Sequence, residues 1–386
     1  MLRSALNSVY HVILRPDPKM RILHVAETLP GGVASYLSEL LPLQAEDDGV
    51  ECAALFAPED QLDLVVSREG VGKYGYTREG RSIKAALSMF AELRRVVSRL
   101  QPDIVHLHSS IAGLIGRLPG VYPGQTKPII IYTAHGWAMD PARVTRHRSA
   151  IAAVEKALAR RADAIMNISQ HEIDFLLDLG FPAEKLKLVL TGLGPGDVSG
   201  DSSAVRAEED GPIRLFYAGR LDYQKGFDLL YPELNNLPPG IAVCRVAGAS
   251  VVGGQAQYSG TENVIMLGWL SRDDVIDELE QCDALIMPSR WEGLPIAALE
   301  AMRAGKPVLA SNRGPFPKML RDGVDGILMD IGAPRFLERA LRGLTRADLA
   351  EIGKQARARF MERHQAVAMA ENILKLYRKL VDQRKH

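Results

Sequence analysis

Short apolar runs alternate along this chain with longer stretches in which apolar residues recur every three or four positions. The first pattern fits strands buried on both faces, the second helices with one buried face. Strands are predicted at Ile22–Ala26, Cys52–Phe56, Ile104–Leu107, Ile129–Thr133, Ala164–Ile168 and Leu186–Leu190. Helices fit Val33–Gln44, Lys84–Leu100, Ala142–Arg160 and His171–Leu179. A second alternation runs from Ile213 to about Leu344, with strands near Ile213–Ala218, Val243–Ala247, Val264–Leu267, Ala284–Met287, Val308–Ala310 and Gly326–Met329. The tail Phe360–Val381 reads as one long helix, with Val367, Ile373, Leu374, Tyr377 and Leu380 apolar. Alternation of this kind implies the α/β class with parallel sheets.

The stretch Gly194–Pro212 is rich in Gly, Ser, Asp and Glu and has almost nothing to bury, so it reads as a linker. The expected division is a disordered lead at 1–19, one Rossmann-like domain at 20–194, the linker at 195–212, a second domain at 213–359 and a terminal helix at 360–386. Within residues 1–19, Leu2, Leu6, Val9, Ile13 and Leu14 leave a second reading open, a short amphipathic anchor. Arg3, His11, Arg15, Asp17 and two prolines argue against a cleavable signal.

Composition narrows the class. A length of 386 residues suffices for two full cores, and 47% hydrophobic with 24% charged residues is ordinary for a globular protein. Lys and Arg balance Asp and Glu at 47 each, so no global field draws nucleic acid. Cys52, Cys244 and Cys282 are scattered and read as small buried apolar residues. No apolar run reaches the roughly 18 residues of a spanning helix.

The densest chemistry lies in Ser289–Glu300, Ser-Arg-Trp-Glu-Gly-Leu-Pro-Ile-Ala-Ala-Leu-Glu. A buried strand precedes it, and the Ala-rich helix Ile296–Ala304 follows, with Pro295 suited to the first turn. Glu292 therefore sits at a strand-to-helix turn where free N–H groups hold anions, and Glu300 lies over one turn into the helix. An N–H cradle for phosphates beside two carboxylates for hydroxyls is what a nucleotide-sugar needs. Upstream, Arg220 and Lys225 fall in a loop between a short strand and a helix starting near Gly226. Two fixed cations there suit a leaving group that gains negative charge.

On these residues the chain resembles the retaining glycosyltransferases of family 4, which have the GT-B fold. The shared pattern is Gly219-Arg220, Lys225-Gly226, then Glu292 and Glu300 with Glu-Gly-Leu-Pro at its start, continuing into Ala301–Ser311 and Asp322–Leu328. The resemblance implies two Rossmann-like domains facing a cleft, with the C-terminal helix crossing back to the first. It implies donor contacts from Gly31, Gly32, Arg220, Lys225, Glu292, Gly293, Leu294, Pro295, Ile296 and Glu300. It places His135, in Thr-Ala-His-Gly-Trp, against the donor sugar, and so makes His135, Arg220, Lys225 and Glu292 the expected catalytic set. Many family members have Asn-Gly where this chain has Thr191-Gly192, so no binding role is carried over there.

No Asp-x-Asp pair ends a strand, which fits metal-independent transfer with no cofactor; the nucleotide-sugar is a substrate. His106 and His108 point to one face of their strand, but no third metal ligand is evident from the sequence. Relatives with His-Gly-Trp in this loop resemble enzymes of exopolysaccharide or O-antigen assembly acting on polyprenyl-diphosphate-linked sugars. The expected donor is a UDP-sugar, with GDP-mannose as the alternative, and the expected acceptor a glycan or lipid-linked glycan. Residues 142–161 carry Arg143, Arg146, Arg148 and further bases with Glu155 the only acid, read either as a solvated face or as a surface for anionic lipid or an acceptor diphosphate. Trp137 and Met139 are its apolar element or ordinary core. The expected place of action is cytoplasmic, peripheral on the inner face of the membrane. A sugar-nucleotide epimerase and an idle nucleotide-sugar-binding scaffold are the competing readings.

Overall fold

The alternation folds into two parallel sheets. A computed structural model describes residues 19–66, 70–78, 80, 82–124, 127–143, 146–195, 211–249, 258–293 and 295–385. Most of the expected lead and linker thus lies outside the described residues. The first sheet contains β1 (Met20–Ala26), β2 (Val50–Pro58), β3 (Val71–Tyr76), β4 (Ile104–His108), β5 (Ile129–Thr133), β6 (Ala164–Asn167) and β7 (Leu186–Leu188), in the order β3-β2-β1-β4-β5-β6-β7. The second contains β8 (Ile213–Ala218), β9 (Ala242–Ala247), β10 (Val264–Gly268), β11 (Ala284–Met287), β12 (Val308–Ser311) and β13 (Ile327–Met329), in the order β10-β9-β8-β11-β12-β13.

Helices cover both faces of each sheet. The first domain uses α1 (Gly32–Ala45), α2 (Ile83–Leu100), α3 (Ser110–Gly116), α4 (Arg148–Ala159) and α5 (Gln170–Asp178). The second uses α6 (Phe227–Asn235), α7 (Arg272–Gln281), α8 (Ile296–Arg303), α9 (Phe316–Met319), α10 (Phe336–Leu341) and α11 (Arg346–Arg363). The last helix, α12 (Ala366–Lys385), returns to the first domain and packs on α1. Met369, Ala370, Ile373, Leu374 and Tyr377 of α12 join Ile22, Leu37 and Leu40 in one buried cluster. The outer end is tied by Arg384, whose Nη2 lies 2.9 Å from Asp163 Oδ1.

The expected single tail helix is corrected here. It is two helices, broken at His364 and Gln365, where the chain crosses between domains. At the break Leu193 N–H donates to the His364 carbonyl at 2.9 Å, and Ala366 N–H donates to the Leu193 carbonyl at 2.9 Å. Apolar periodicity runs on through 364, so the pattern hides a break that tertiary pairing imposes. The expected helix at 142–160 also starts late, at Arg148. Elements β3 and α3 of the first domain are among those that escaped the pattern. Edge strand β3 carries two glycines, and in α3 Gly113 and Gly116 leave room for Tyr132 and Leu107, so neither has an apolar stripe.

Candidate active site

Each sheet reverses its strand order once, between β1 and β4 in the first and between β8 and β11 in the second. Ligands in such sheets bind beyond the strand C-terminal ends at that reversal. Both reversals open onto one cleft, which holds a cavity of about 340 Å³. From the first domain its wall takes Gly32, Val33, Tyr36, His135 and Thr191; from the second, Gln224, Lys225, Glu292, Gly293, Pro295 and Ile296.

Two helices begin at this wall, α1 with Gly32 and Val33, and α8 with Ile296 and Ala297. First-turn N–H groups have no carbonyl one turn back, and they carry the positive end of the helix dipole. The cavity is thus built to take an anion from both sides. Lys225 adds a full charge. Its Nζ lies 2.7 Å from Glu292 Oε1, and Ser289 Oγ donates to the same oxygen at 2.7 Å. The Lys225 amide donates to Asp222 Oδ1 at 3.0 Å, which fixes the loop carrying the ammonium. Gly226 has φ +71°, and a Cβ there would lie 2.1 Å from the Pro288 carbonyl oxygen, so only glycine lets this loop press on the one bearing Glu292.

The domains meet at a second glycine. A Cβ on Gly293 would stand 2.6 Å from the His135 carbonyl oxygen. His135 itself has φ +54°, an uncommon conformation for a residue with a side chain. Burial lowers its imidazole to a pKa of about 3, so it is neutral. Gly32 also faces the other domain, 3.6 Å separating a Cβ built there from Ile296 Cγ1.

The remaining expected residues lie outside the wall. Gly31 caps α1. Arg220 donates to Gln224 Oε1 at 2.9 Å and pairs with Asp222 Oδ2 at 3.0 Å, so it reaches the cavity through Gln224. Glu300 is nearly buried, with Arg272 Nη2 3.7 Å from its carboxylate and its pKa raised by burial. The two glutamates of the motif therefore occupy separate places. Leu294 lies outside the described residues.

Three polar residues of the wall were missed. Tyr36 is 1% exposed and its hydroxyl has no hydrogen-bond partner, although it stands in the cavity wall. On α1 it reads as one more apolar position. Thr191 also lines the cavity with an unpartnered hydroxyl, at the Thr-Gly departure that had been set aside. Gln224 sits between Arg220 and Lys225 and carried no signal of its own.

The expected basic surface is corrected. Arg143, Arg146 and Arg148 do not present one face. Arg143 is half-buried at the cleft, its guanidinium carbon 5.8 Å from the Trp291 ring centroid of the other domain, and burial lowers its pKa. Arg148 donates to the Met139 carbonyl at 2.9 Å, while Arg146 is exposed. Glu155 faces inward, 2.7 Å from buried Arg117. Trp137 and Met139 are core, at 2% and 0% exposure.

Comparison with known proteins bears on most of the chain. Residues 30–195 match the family described as Glycosyltransferase Family 4, and residues 200–366 match Glycosyl transferases group 1. A protein of the cps region of Klebsiella pneumoniae is 28% identical over 320 residues, 81% of this chain and 86% of that one. The Escherichia coli UDP-Gal:alpha-D-GlcNAc-diphosphoundecaprenol alpha-1,3-galactosyltransferase is 23% identical over 360 residues, 88% and 90% of the two chains. The Anabaena protein HepE, solved with UDP-glucose, superposes with a TM-score of 0.72 at 19% identity, over 93% of this chain and 100% of that one. With both halves matched in order and the two facing sheets in place, the chain belongs to the family 4 glycosyltransferases and has the GT-B fold.

Proposed function

We propose that this glycosyltransferase is retaining and metal-independent, and that it moves a hexose from a UDP-sugar to a polyprenyl-diphosphate-linked glycan in cell-surface polysaccharide assembly. The observation that carries the reading is the Lys225 ammonium and two helix N-termini converging on one cavity beside Glu292. In the reaction the bond from the sugar C1 to the diphosphate oxygen breaks, and its electron pair goes to the leaving phosphate. Lys225, Arg220 acting with Gln224, and the first amides of α8 stabilise that charge. The acceptor hydroxyl bonds C1 from the same face and passes its proton to the leaving phosphate. Glu292 and His135 hold donor-sugar hydroxyls, and Glu300 the ribose hydroxyls.

The relatives support the donor and acceptor classes. The Escherichia coli protein is by name a galactosyltransferase using UDP-galactose and a diphosphoundecaprenol-linked sugar, and HepE was solved with UDP-glucose. None of the described helices is long and apolar enough to cross a membrane, so work on a lipid-linked acceptor calls for peripheral contact with the anionic inner face of the membrane, with exposed bases such as Arg146 contributing. The test is a panel of nucleotide-sugars with and without a polyprenyl-diphosphate-linked acceptor. Product with the donor anomeric configuration, formed only when acceptor is present, is expected. Epimerised nucleotide-sugar without acceptor, or binding without turnover, overturns the reading.

A further inference from the structure

Beneath His135 lies a run of imidazoles that the donor chemistry leaves unused. His24 stands on β1, and His106 and His108 on β4, with His24 paired to His106 across the sheet. The period-two pleat puts all three on one face, under α1 and α12, and each is 0% exposed. Their nitrogens approach one another within 4.8 Å, yet each ring is committed to hydrogen bonds. His106 bonds the Tyr377 hydroxyl at 2.6 Å and Thr133 Oγ1 at 2.8 Å. The other rings form a line: Gln44 Oε1 to His24 Nε2 at 2.7 Å, His24 Nδ1 to His108 Nε2 at 2.9 Å, and His108 Nδ1 to His135 Nε2 at 2.8 Å.

A neutral imidazole has one N–H and one bare nitrogen, so the line has a direction. Burial keeps all of these rings neutral, with His24 lowered to about 4 and His106 and His108 well below their usual value. The Gln44 oxygen only accepts, so His24 Nε2 carries its proton and His24 Nδ1 is bare. His108 Nε2 then donates to His24, and His135 Nε2 donates to His108. The last nitrogen, His135 Nδ1, is left bare, and among the described residues no hydrogen bond reaches it. The His108 and His135 rings lie side by side, 25° from coplanar with centroids 5.1 Å apart, and Tyr36 meets the His135 ring edge-on at 4.9 Å, which holds its plane.

We propose that Gln44, His24 and His108 are positioning residues: a buried relay that fixes His135 as the Nε2–H tautomer and presents its Nδ1 to a donor-sugar hydroxyl as an acceptor. The proposal rests on His135 facing the donor sugar. Its polarity is set at Gln44, four hydrogen-bonding groups from the cavity. Were the amide turned, every ring would reverse and His135 would offer a proton instead. In the structure the Gln44 oxygen faces His24 at 2.7 Å, and its amide nitrogen has no hydrogen-bond partner.

The test labels histidine with ¹⁵N and reads ring tautomers from long-range ¹H–¹⁵N correlations, alongside UDP release from UDP-glucose. In the wild type His135 is expected with Nε2 protonated and Nδ1 bare. Gln44→Glu keeps an acceptor and should preserve both tautomer and turnover. Gln44→Met removes it and should give mixed tautomers with kcat lowered about tenfold, the lower end of what losing an outer-shell partner of a functional histidine costs. A bare Nε2 on His135 in the wild type, or a tautomer and kcat unmoved by Gln44→Met, overturns the relay. Full turnover in His135→Ala overturns instead the donor-facing role on which it rests, and the tautomer spectra tell the two failures apart.

Discussion

Lys225 and Glu292 share one ion pair in the cavity wall, 2.7 Å from ammonium to carboxylate, with Glu292 only 7% exposed. Glu292 Oε2 carries no hydrogen bond among the described residues, so one oxygen remains for a substrate hydroxyl. Lys225→Ala should lower kcat about 100- to 1,000-fold, as loss of one preorganised donor does. It should also destabilise the fold, because Glu292 loses its cation. Adding Glu292→Gln should restore the melting temperature but not the turnover. Recovery of turnover in the double variant would reduce Lys225 to a structural partner.

Gly293→Ala tests the contact between domains. The new methyl would press on the His135 carbonyl, which rigid-body opening of the cleft relieves. The expected result is a raised KM for donor and a larger radius of gyration by small-angle scattering, with little change in melting temperature. An unchanged radius and KM would mean the contact is not needed for closure.

Activity should survive excess EDTA. Among the described wall residues Glu292 is the only carboxylate, and it is already neutralised by Lys225. A rate lost to EDTA and restored by Mg²⁺ would reverse this expectation.

Stability should fall between about pH 6.5 and pH 4. His24 and His364 titrate at about 4 and His135 at about 3 in the fold, all lowered mainly by burial. The unfolded chain binds protons on them from about pH 6.5 downward. It therefore holds more protons through that window, and each histidine contributes roughly 1.4 kcal/mol of loss per pH unit. Glu172 acts with opposite sign, because burial raises it to about 7, but it is one group against several. Urea titrations at pH 7, 6 and 5 measure the slope; a flat profile would mean the rings are charged in the fold.

Arg143→Glu and Arg146→Glu should part company. The first puts an acid beside Trp291 at the cleft and should cut turnover. The second changes an exposed charge and should leave UDP release intact while weakening binding to anionic vesicles at low salt. Equal effects of both on turnover would return Arg143 to the surface.

The parallel sheets were legible because each buried strand is an unbroken apolar run, as in Ile129–Thr133. The second-domain wall of the cleft was legible because Lys225, Glu292 and Pro295 lie in dense local motifs flanking strand ends. What did not show was whatever long-range pairing decides. The break at His364 follows from a bond to Leu193, and the turning of Arg143 to the cleft follows from Trp291 across the gap. The histidine line is hidden for the same reason: His24 and His108 are far apart in sequence, and only the β1–β4 register brings their rings together. Tyr36 looked like core because it is core, apart from its hydroxyl.

The return of α12 has a consequence for the order of synthesis. The first domain is read out before the second, but its core is closed by Met369, Ile373 and Tyr377, which leave the ribosome only after the second domain has done so. At about 5–20 residues per second, the second domain alone takes about 8–30 seconds to emerge. Throughout that interval the face of α1 and the ring of His106 wait uncovered. The nascent first domain is therefore a natural client for chaperones, and a truncation before Ala366 leaves it in that unfinished state.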